Sequence, residues 1–103
     1  MIVYEVNHDV SKEIEKEYME WLSSHIQEML GFEGFESVDW YTRASDDTEQ
    51  KVHWTLHYHV RAMTDLINYF EAHAERMKAD GATRFGDRYQ ANRRILSLYR
   101  HFK

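Results

Sequence analysis

From His53 to Val60 the chain alternates without a break. Trp54, Leu56, Tyr58 and Val60 fall on one side, and His53, Thr55, His57 and His59 on the other. A period of two residues is the period of a β-strand, and the segment predicts a strand over Val52 to Val60 with one apolar and one polar face. Such a strand cannot stand alone. Its backbone needs neighbours in a sheet, and its aromatic face needs a covering layer.

The rest of the chain supplies both. Met1 to His8 alternates, with Ile2, Tyr4 and Val6 opposite Val3, Glu5 and Asn7, and predicts a first strand. Ser11 is placed to cap a helix whose apolar positions, Ile14, Tyr18, Trp21, Leu22, Ile26, Met29 and Leu30, recur at three- and four-residue spacing up to Gly31. Phe35 to Arg43 predicts a second strand, with Val38 and Trp40 against Ser37, Asp39 and Tyr41. The polar segment from Ala44 to Gln50 joins it to the third as a hairpin loop. Thr64 and Asp65 open a second helix, with Leu66, Ile67, Phe70, Ala74 and Met77 as its buried stripe and Gly81 as its end. A short turn anchored by Phe85 then leads to Arg93–Phe102. That segment predicts a fourth strand, with Leu96 and Leu98 opposite Ile95, Ser97 and Tyr99.

The order β-α-β-β-α-β is that of the ferredoxin-like split βαβ motif. It predicts one α+β domain over residues 1–103, with both helices on one face of a four-stranded antiparallel sheet and strands one and three central and mutually parallel. A length of 103 residues and 43% hydrophobic content fit a single packed domain. The absence of cysteine rules out disulfides, thiolate metal sites and cysteine nucleophiles. No apolar run is long enough to span a membrane, and no signal peptide is visible, so a cytoplasmic protein without a membrane partner is expected.

The net charge of −5 disfavours general nucleic-acid binding. The charge is divided: residues 1–52 carry four basic and thirteen acidic groups, residues 53–103 nine basic and five acidic. Glu13, Glu15, Glu17 and Glu20 read as the solvated face of a helix. The alternative is an acidic half meeting a basic half across a symmetric dimer. Arg84, Arg88, Arg93, Arg94 and Arg100 form a basic set able to hold an anion.

The sheet faces carry the functional reading. Tyr4, Val6, Val38, Trp40, Trp54, Leu56, Tyr58, Leu96 and Leu98 are expected under the helices. The other face then presents Glu5, Asn7, Asp39, Tyr41, His53, Thr55, His57, His59, Ser97 and Tyr99. It is too aromatic and histidine-rich for an ordinary wet surface and too polar for a dry core, so a second copy of the chain is expected to cover it and enclose a polar cavity. His57 and His59 lie roughly 7 Å apart along the strand. With Asp39, Glu5 or Asn7 they could share a metal, but the spacing matches no usual zinc pattern, and no metal or other cofactor is assigned. Without a cofactor, a histidine oriented by a carboxylate can act as a general base, and a tyrosine can hold a substrate oxygen. His57, His59, Asp39 and Tyr41 are therefore the candidate catalytic set, and Glu5, Asn7, His53, Ser97 and Tyr99 the candidate ligand-binding set. The competing reading is that these groups pair with one another in a wet interface. Crowding of His53, His57 and His59 against only Glu5 and Asp39 predicts a face that loosens in mild acid. His25 and His73 fall on the helix stripes as core residues. Ser11, Ser23 and Ser24 lack a nucleophile motif, and the four glycines lack a phosphate-loop frame.

The opening Met1-Ile2-Val3-Tyr4-Glu5-Val6, the helix segments Glu20-Trp21-Leu22 and His25-Ile26-Gln27-Glu28, the run Ala72-His73-Ala74-Glu75-Arg76-Met77, and Arg84-Phe85-Gly86-Asp87-Arg88 followed by Arg93 occur in this order along the chain. In these the sequence resembles an uncharacterised family of small bacterial proteins in the dimeric α+β-barrel superfamily. It departs from that family's pattern at Gln27, where a proline is usual, and at Glu5, where an asparagine is. The resemblance implies the ferredoxin-like fold and a homodimer. It implies no activity, since the superfamily includes monooxygenases, mutarotases and non-enzymes. Two functions are expected to compete: a homodimer that binds a small ligand or serves as an interaction module through its polar face, and a cofactor-independent enzyme acting on a small carbonyl or polar compound.

Overall fold

The computed structural model describes residues 1–103. The chain forms β1 (Ile2–Ser11), α1 (Glu15–Met29), β2 (Phe35–Thr42), β3 (Lys51–Val60), α2 (Met63–Ala72), α3 (Ala74–Phe85) and β4 (Tyr89–Ser97), with short 3-10 turns at Lys12–Ile14 and Ala44–Asp46. The strands join in the order β2-β3-β1-β4, the ferredoxin-like arrangement expected of the sequence. All three strand pairings are antiparallel. The central strands β1 and β3 therefore run in opposite directions and not in parallel. The helix crossover returns the chain so that β2 runs with β1, and the hairpin then reverses β3.

The helices cover one face of the sheet. Tyr4, Val6, Val10, Trp54, Leu56, Tyr58 and Val60 are buried there. The Trp54 ring lies stacked 6.4 Å from Tyr18 of α1, and Tyr4 meets Tyr69 and Phe70 of α2. The face assignment of β1 and β3 is therefore as the alternation predicted. In β2 the bulge between Phe35 and Ser37 brings Phe35 into the core beside Tyr58 and Tyr69 while Ser37, Asp39 and Tyr41 stay on the open face.

The helical layer differs from expectation in several details. Ser11 ends the first strand and precedes a 3-10 turn without a side-chain capping bond, and the α-helix starts at Glu15. The second helix is two helices. His73 leaves the helical backbone range, and its ring stacks 4.3 Å from Phe32, so tertiary packing interrupts a pattern that looked continuous. Its start is Met63 after Ala62 rather than Thr64, and Tyr69 takes the buried place expected of Ile67, which is exposed. Gly81 does not end the helix. It lies inside α3 where a Cβ would come within 2.9 Å of the Trp21 ring, so its missing side chain lets α3 approach α1.

The fourth strand is displaced and reversed. It covers Tyr89–Ser97, and β1 sets its register: Leu96 opposes Val3, Arg94 opposes Glu5 and Ser97 opposes Ile2. Leu96 therefore lies on the open face and Ser97 on the helix side, the opposite of the sequence expectation. Leu98 and Tyr99 lie beyond the strand and are exposed. A half-covered edge strand has no strict apolar alternation, so its parity is decided by pairing and not by its own pattern.

Candidate functional site

The open face of the sheet is a network of paired charges built on the β1–β3 register. That register sets Glu5 beside His57, Asn7 beside Thr55 and Asp9 beside His53. Glu5 is the centre. His57 Nε2 donates to its Oε1 at 2.8 Å, Asn7 Nδ2 donates to its Oε2 at 3.0 Å, and the Arg94 guanidinium donates to the same Oε2. Only 4% of Glu5 is exposed, although no helix covers this side of the sheet. Burial pushes its carboxyl up, but the donors Arg94, His57 and Asn7, with the charge of Arg94, outweigh that and hold it down at about 2.

The flanking groups pair in the same way. His59 Nε2 donates to Asp39 Oδ2 at 2.8 Å across to β2. Asp47 Oδ1 accepts from the His53 backbone N–H at 2.8 Å and lies 3.1 Å from His53 Nδ1, with Asp9 on the far side of the ring at 3.7 Å. Arg43 donates to Thr55 Oγ1 at 2.9 Å, to Asp9 at 3.2 Å and to Asp46 at 3.2 Å, and Thr55 in turn donates to Asn7 Oδ1 at 2.6 Å. The Tyr41 ring packs edge-on to His57 at 5.1 Å and is half exposed.

The structure thus brings Glu5, Asn7, Asp39, Tyr41, His53, His57 and His59 onto one face. Ser97 and Tyr99 do not join them. Arg43, Asp9, Asp47 and Arg94 complete the network and were not read from sequence as part of it. Alternation from Glu5 and Asn7 would have found Asp9, whereas Arg94 depends on the β4 register. The basic set of the C-terminal half is divided, because neighbouring strand positions send Arg93 and Arg94 to opposite faces. The crowding argument loses its premise too: the three histidines meet four carboxylates, Glu5, Asp39, Asp9 and Asp47, and not two.

Pairing limits the chemistry of this face. Nε2 is the outer tip of a histidine on a strand and the atom best placed to reach a bound molecule. In both His57 and His59 it is engaged by a carboxylate. The two rings turn to different strands, His57 to β1 and His59 to β2, and no three histidine or acidic side chains converge as a metal-ligand set. A ring nitrogen held by a carboxylate is oriented by it and is not open to a further partner.

Beside the network, at the end where β1 starts and β4 finishes, lies an apolar groove. Val3, Leu96, Leu98, Tyr99 and Phe102 line it with Met1. Leu98, Tyr99 and Phe102 are 72%, 87% and 82% exposed. No helix of the protein is long and apolar enough to cross a membrane.

The family model of a domain of unknown function (DUF4286) matches residues 1–99. No curated protein matches the chain. Among solved structures, a proposed antibiotic biosynthesis monooxygenase from Deinococcus radiodurans superposes with a TM-score of 0.73 at 10% identity, over 100% of this chain and 97% of that one. A conserved protein from Methanosarcina mazei Go1 gives 0.58 at 16% identity, over 93% and 91%. A proposed monooxygenase from Shewanella loihica PV-4 gives 0.57 at 12% identity, over 97% and 96%. At these identities the likeness is one of fold.

Proposed function

From the premise that this chain belongs to the family described as a domain of unknown function (DUF4286), we propose that it works as a cytoplasmic homodimer, an interaction module whose open sheet face pairs with a second copy and encloses a polar space for a small ligand. The observation that carries this reading is the pairing of a self-satisfied charge network with an exposed apolar groove on the same side of the sheet. A lone solvent face has no use for Val3, Leu96, Leu98, Tyr99 and Phe102 gathered together, and a buried face tolerates charges only when they are paired. Four strands of up to ten residues offer a face of roughly 600 Å². That is of the order of the ~800 Å² per partner of a standard interface, before the C-terminal segment is added. A two-fold axis along the central strands would lay β2 of one copy over β4 of the other. The exposed carboxylate of Asp39 would then face the exposed guanidinium of Arg94 across the interface.

Sedimentation velocity at micromolar concentration tests this. The wild-type chain should sediment as two copies, and Leu96→Glu should keep its circular dichroism and weaken association by at least about tenfold. A wild-type chain that sediments as one copy throughout would overturn it.

The second reading is a cofactor-independent enzyme acting on a small carbonyl or polar compound between the sheets, with His57, His59, Asp39 and Tyr41 as its machinery. The shared fold of two proposed monooxygenases supports it, and the engaged Nε2 atoms weigh against it. Turnover lost in a folded His57→Ala variant would favour it over the first.

A further inference from the structure

The helix side of the sheet holds a second polar cluster, separate from the open face. A small internal cavity of about 30 Å³ lies between the sheet and the helices, lined by His8, Tyr18, Tyr58 and Tyr69 among others. His8 is only 5% exposed, deeper than any histidine of the open face. Its Nδ1 is 2.8 Å from the Tyr18 hydroxyl, and its Nε2 has no hydrogen-bond partner in the protein. A buried imidazole nitrogen without a partner is costly, and native structures retain such a group chiefly where something binds it. Burial and the nearby charge of Arg93 push the His8 imidazolium down, so the ring is neutral and offers one donor or one acceptor according to tautomer.

This cavity has an outer chamber. A groove of about 300 Å³ shares Tyr4, Lys78 and Arg93 with it, is floored by Phe70 and Ile95, and is edged by Arg94, whose guanidinium is paired with Glu5. Arg93 and Lys78 take part in none of the protein's ion pairs. Two cations without a carboxylate partner at a mouth, Arg93 beside the Tyr4 hydroxyl, with an apolar floor behind them and a neutral polar nitrogen at the bottom, describe a ligand with matching parts. Its charge must stay at the mouth, because a carboxylate is expensive to bury. Its inner end must be a small neutral polar group, since the inner cavity has room for a group about the size of a water or two.

We propose that this double chamber binds a small oxo- or hydroxycarboxylic acid, the carboxylate held by Arg93 and Lys78 and the keto or hydroxyl oxygen seated on His8 Nε2. The assigned contacts, Arg93, Lys78 and His8, are not part of the open-face network, and Arg94 at the groove's edge is already engaged by Glu5, so dimerisation and ligand binding can fail separately. Arginine presents a planar fork to the carboxylate and lysine a point charge. Tyr18 acts as a positioning residue that holds the His8 ring by Nδ1.

The test uses three probes on the full chain, followed by the imidazole ¹⁵N resonances of His8. Levulinate has both the carboxylate and the keto oxygen, pentanoate lacks the oxygen, and 2-pentanone lacks the carboxylate. Levulinate should move the His8 Nε2 resonance saturably, with pentanoate and 2-pentanone each at least about tenfold weaker, the size of one lost charge-assisted or buried hydrogen bond. Arg93→Gln should weaken levulinate, and Arg93→Gln combined with Lys78→Gln should reduce it to the affinity of 2-pentanone, with circular dichroism checking that each variant is folded. His8→Phe should reduce it to that of pentanoate. Equal affinity for the three probes in the wild-type protein, no saturable shift with levulinate, or undiminished levulinate binding in Arg93→Gln would each overturn the assignment.

Discussion

His8 and Glu5 stand three residues apart on β1, and that odd separation turns them to opposite faces of the sheet. Glu5 points to the open side, where Arg94, His57 and Asn7 can reach it, and its carboxyl is held at about 2. His8 points inward among aromatic rings, and burial, helped by the charges of Arg93, His25 and Arg43, pushes its pKa down to about 3. The unfolded chain would accept a proton on His8 near pH 6.5, and the folded chain refuses it until far lower. Stability from His8 is therefore intact above about pH 6.5 and is lost as pH falls from there toward 3, by up to about 1.4 kcal/mol per unit. Urea unfolding at about pH 7.5 and 5.5 should show a loss of about 1.4 kcal/mol from this residue, above the contribution of carboxylates that titrate lower. His8→Phe should remove that part of the difference. An identical pH slope in the two proteins would contradict the burial of a neutral imidazole.

At the scale of elements, the joints decide more than the strands and helices do. Gly34 sits at φ +85 just before β2, and a Cβ there would lie 2.4 Å from Asp65. That space is needed because Asp65, buried at the start of α2, accepts a two-pronged pair of hydrogen bonds from Arg61 at 3.1 and 2.9 Å. The Gly34 carbonyl also accepts from the Arg61 backbone N–H at 2.8 Å. One turn thus fixes the start of β2 against the start of α2. Gly34→Ala should destabilise by about 2 kcal/mol or more, combining a left-handed backbone with a clash. Gly31→Ala, at a position without positive φ, should change stability by less than about 1 kcal/mol. Chemical denaturation of the two variants side by side checks the contrast, and equal losses would refute it.

For the molecule as a whole, the two sides of the sheet divide the labour. The helix side holds the aromatic core and the inner cavity, and the open side holds charge pairs and an apolar groove. If a second copy covers the open side, folding and association are linked, and the melting temperature should rise with protein concentration. Scanning calorimetry over a hundredfold range of concentration should show the rise in the wild type and a flat response in Leu96→Glu. A flat response in both would leave the open face without a partner.

Local periodicity was enough to place β1, β3 and α1, because alternation at two residues and recurrence at three to four are imposed by backbone geometry within a single segment. It also placed His53, His57, His59, Glu5, Asn7, Asp39 and Tyr41 on one face, since each follows the parity of its own strand. Parity could not say which neighbours would meet. The pairing of Glu5 with Arg94, the reversed faces of Leu96 and Ser97, the opposed directions of β1 and β3, and the break at His73 all depend on contacts between residues far apart in the chain. Register is set by the joint energy of a whole pair of strands, and a helix breaks where a ring such as Phe32 offers more than the next turn does. Those choices exist only once the chain has closed on itself, and they decided the chemistry of both faces.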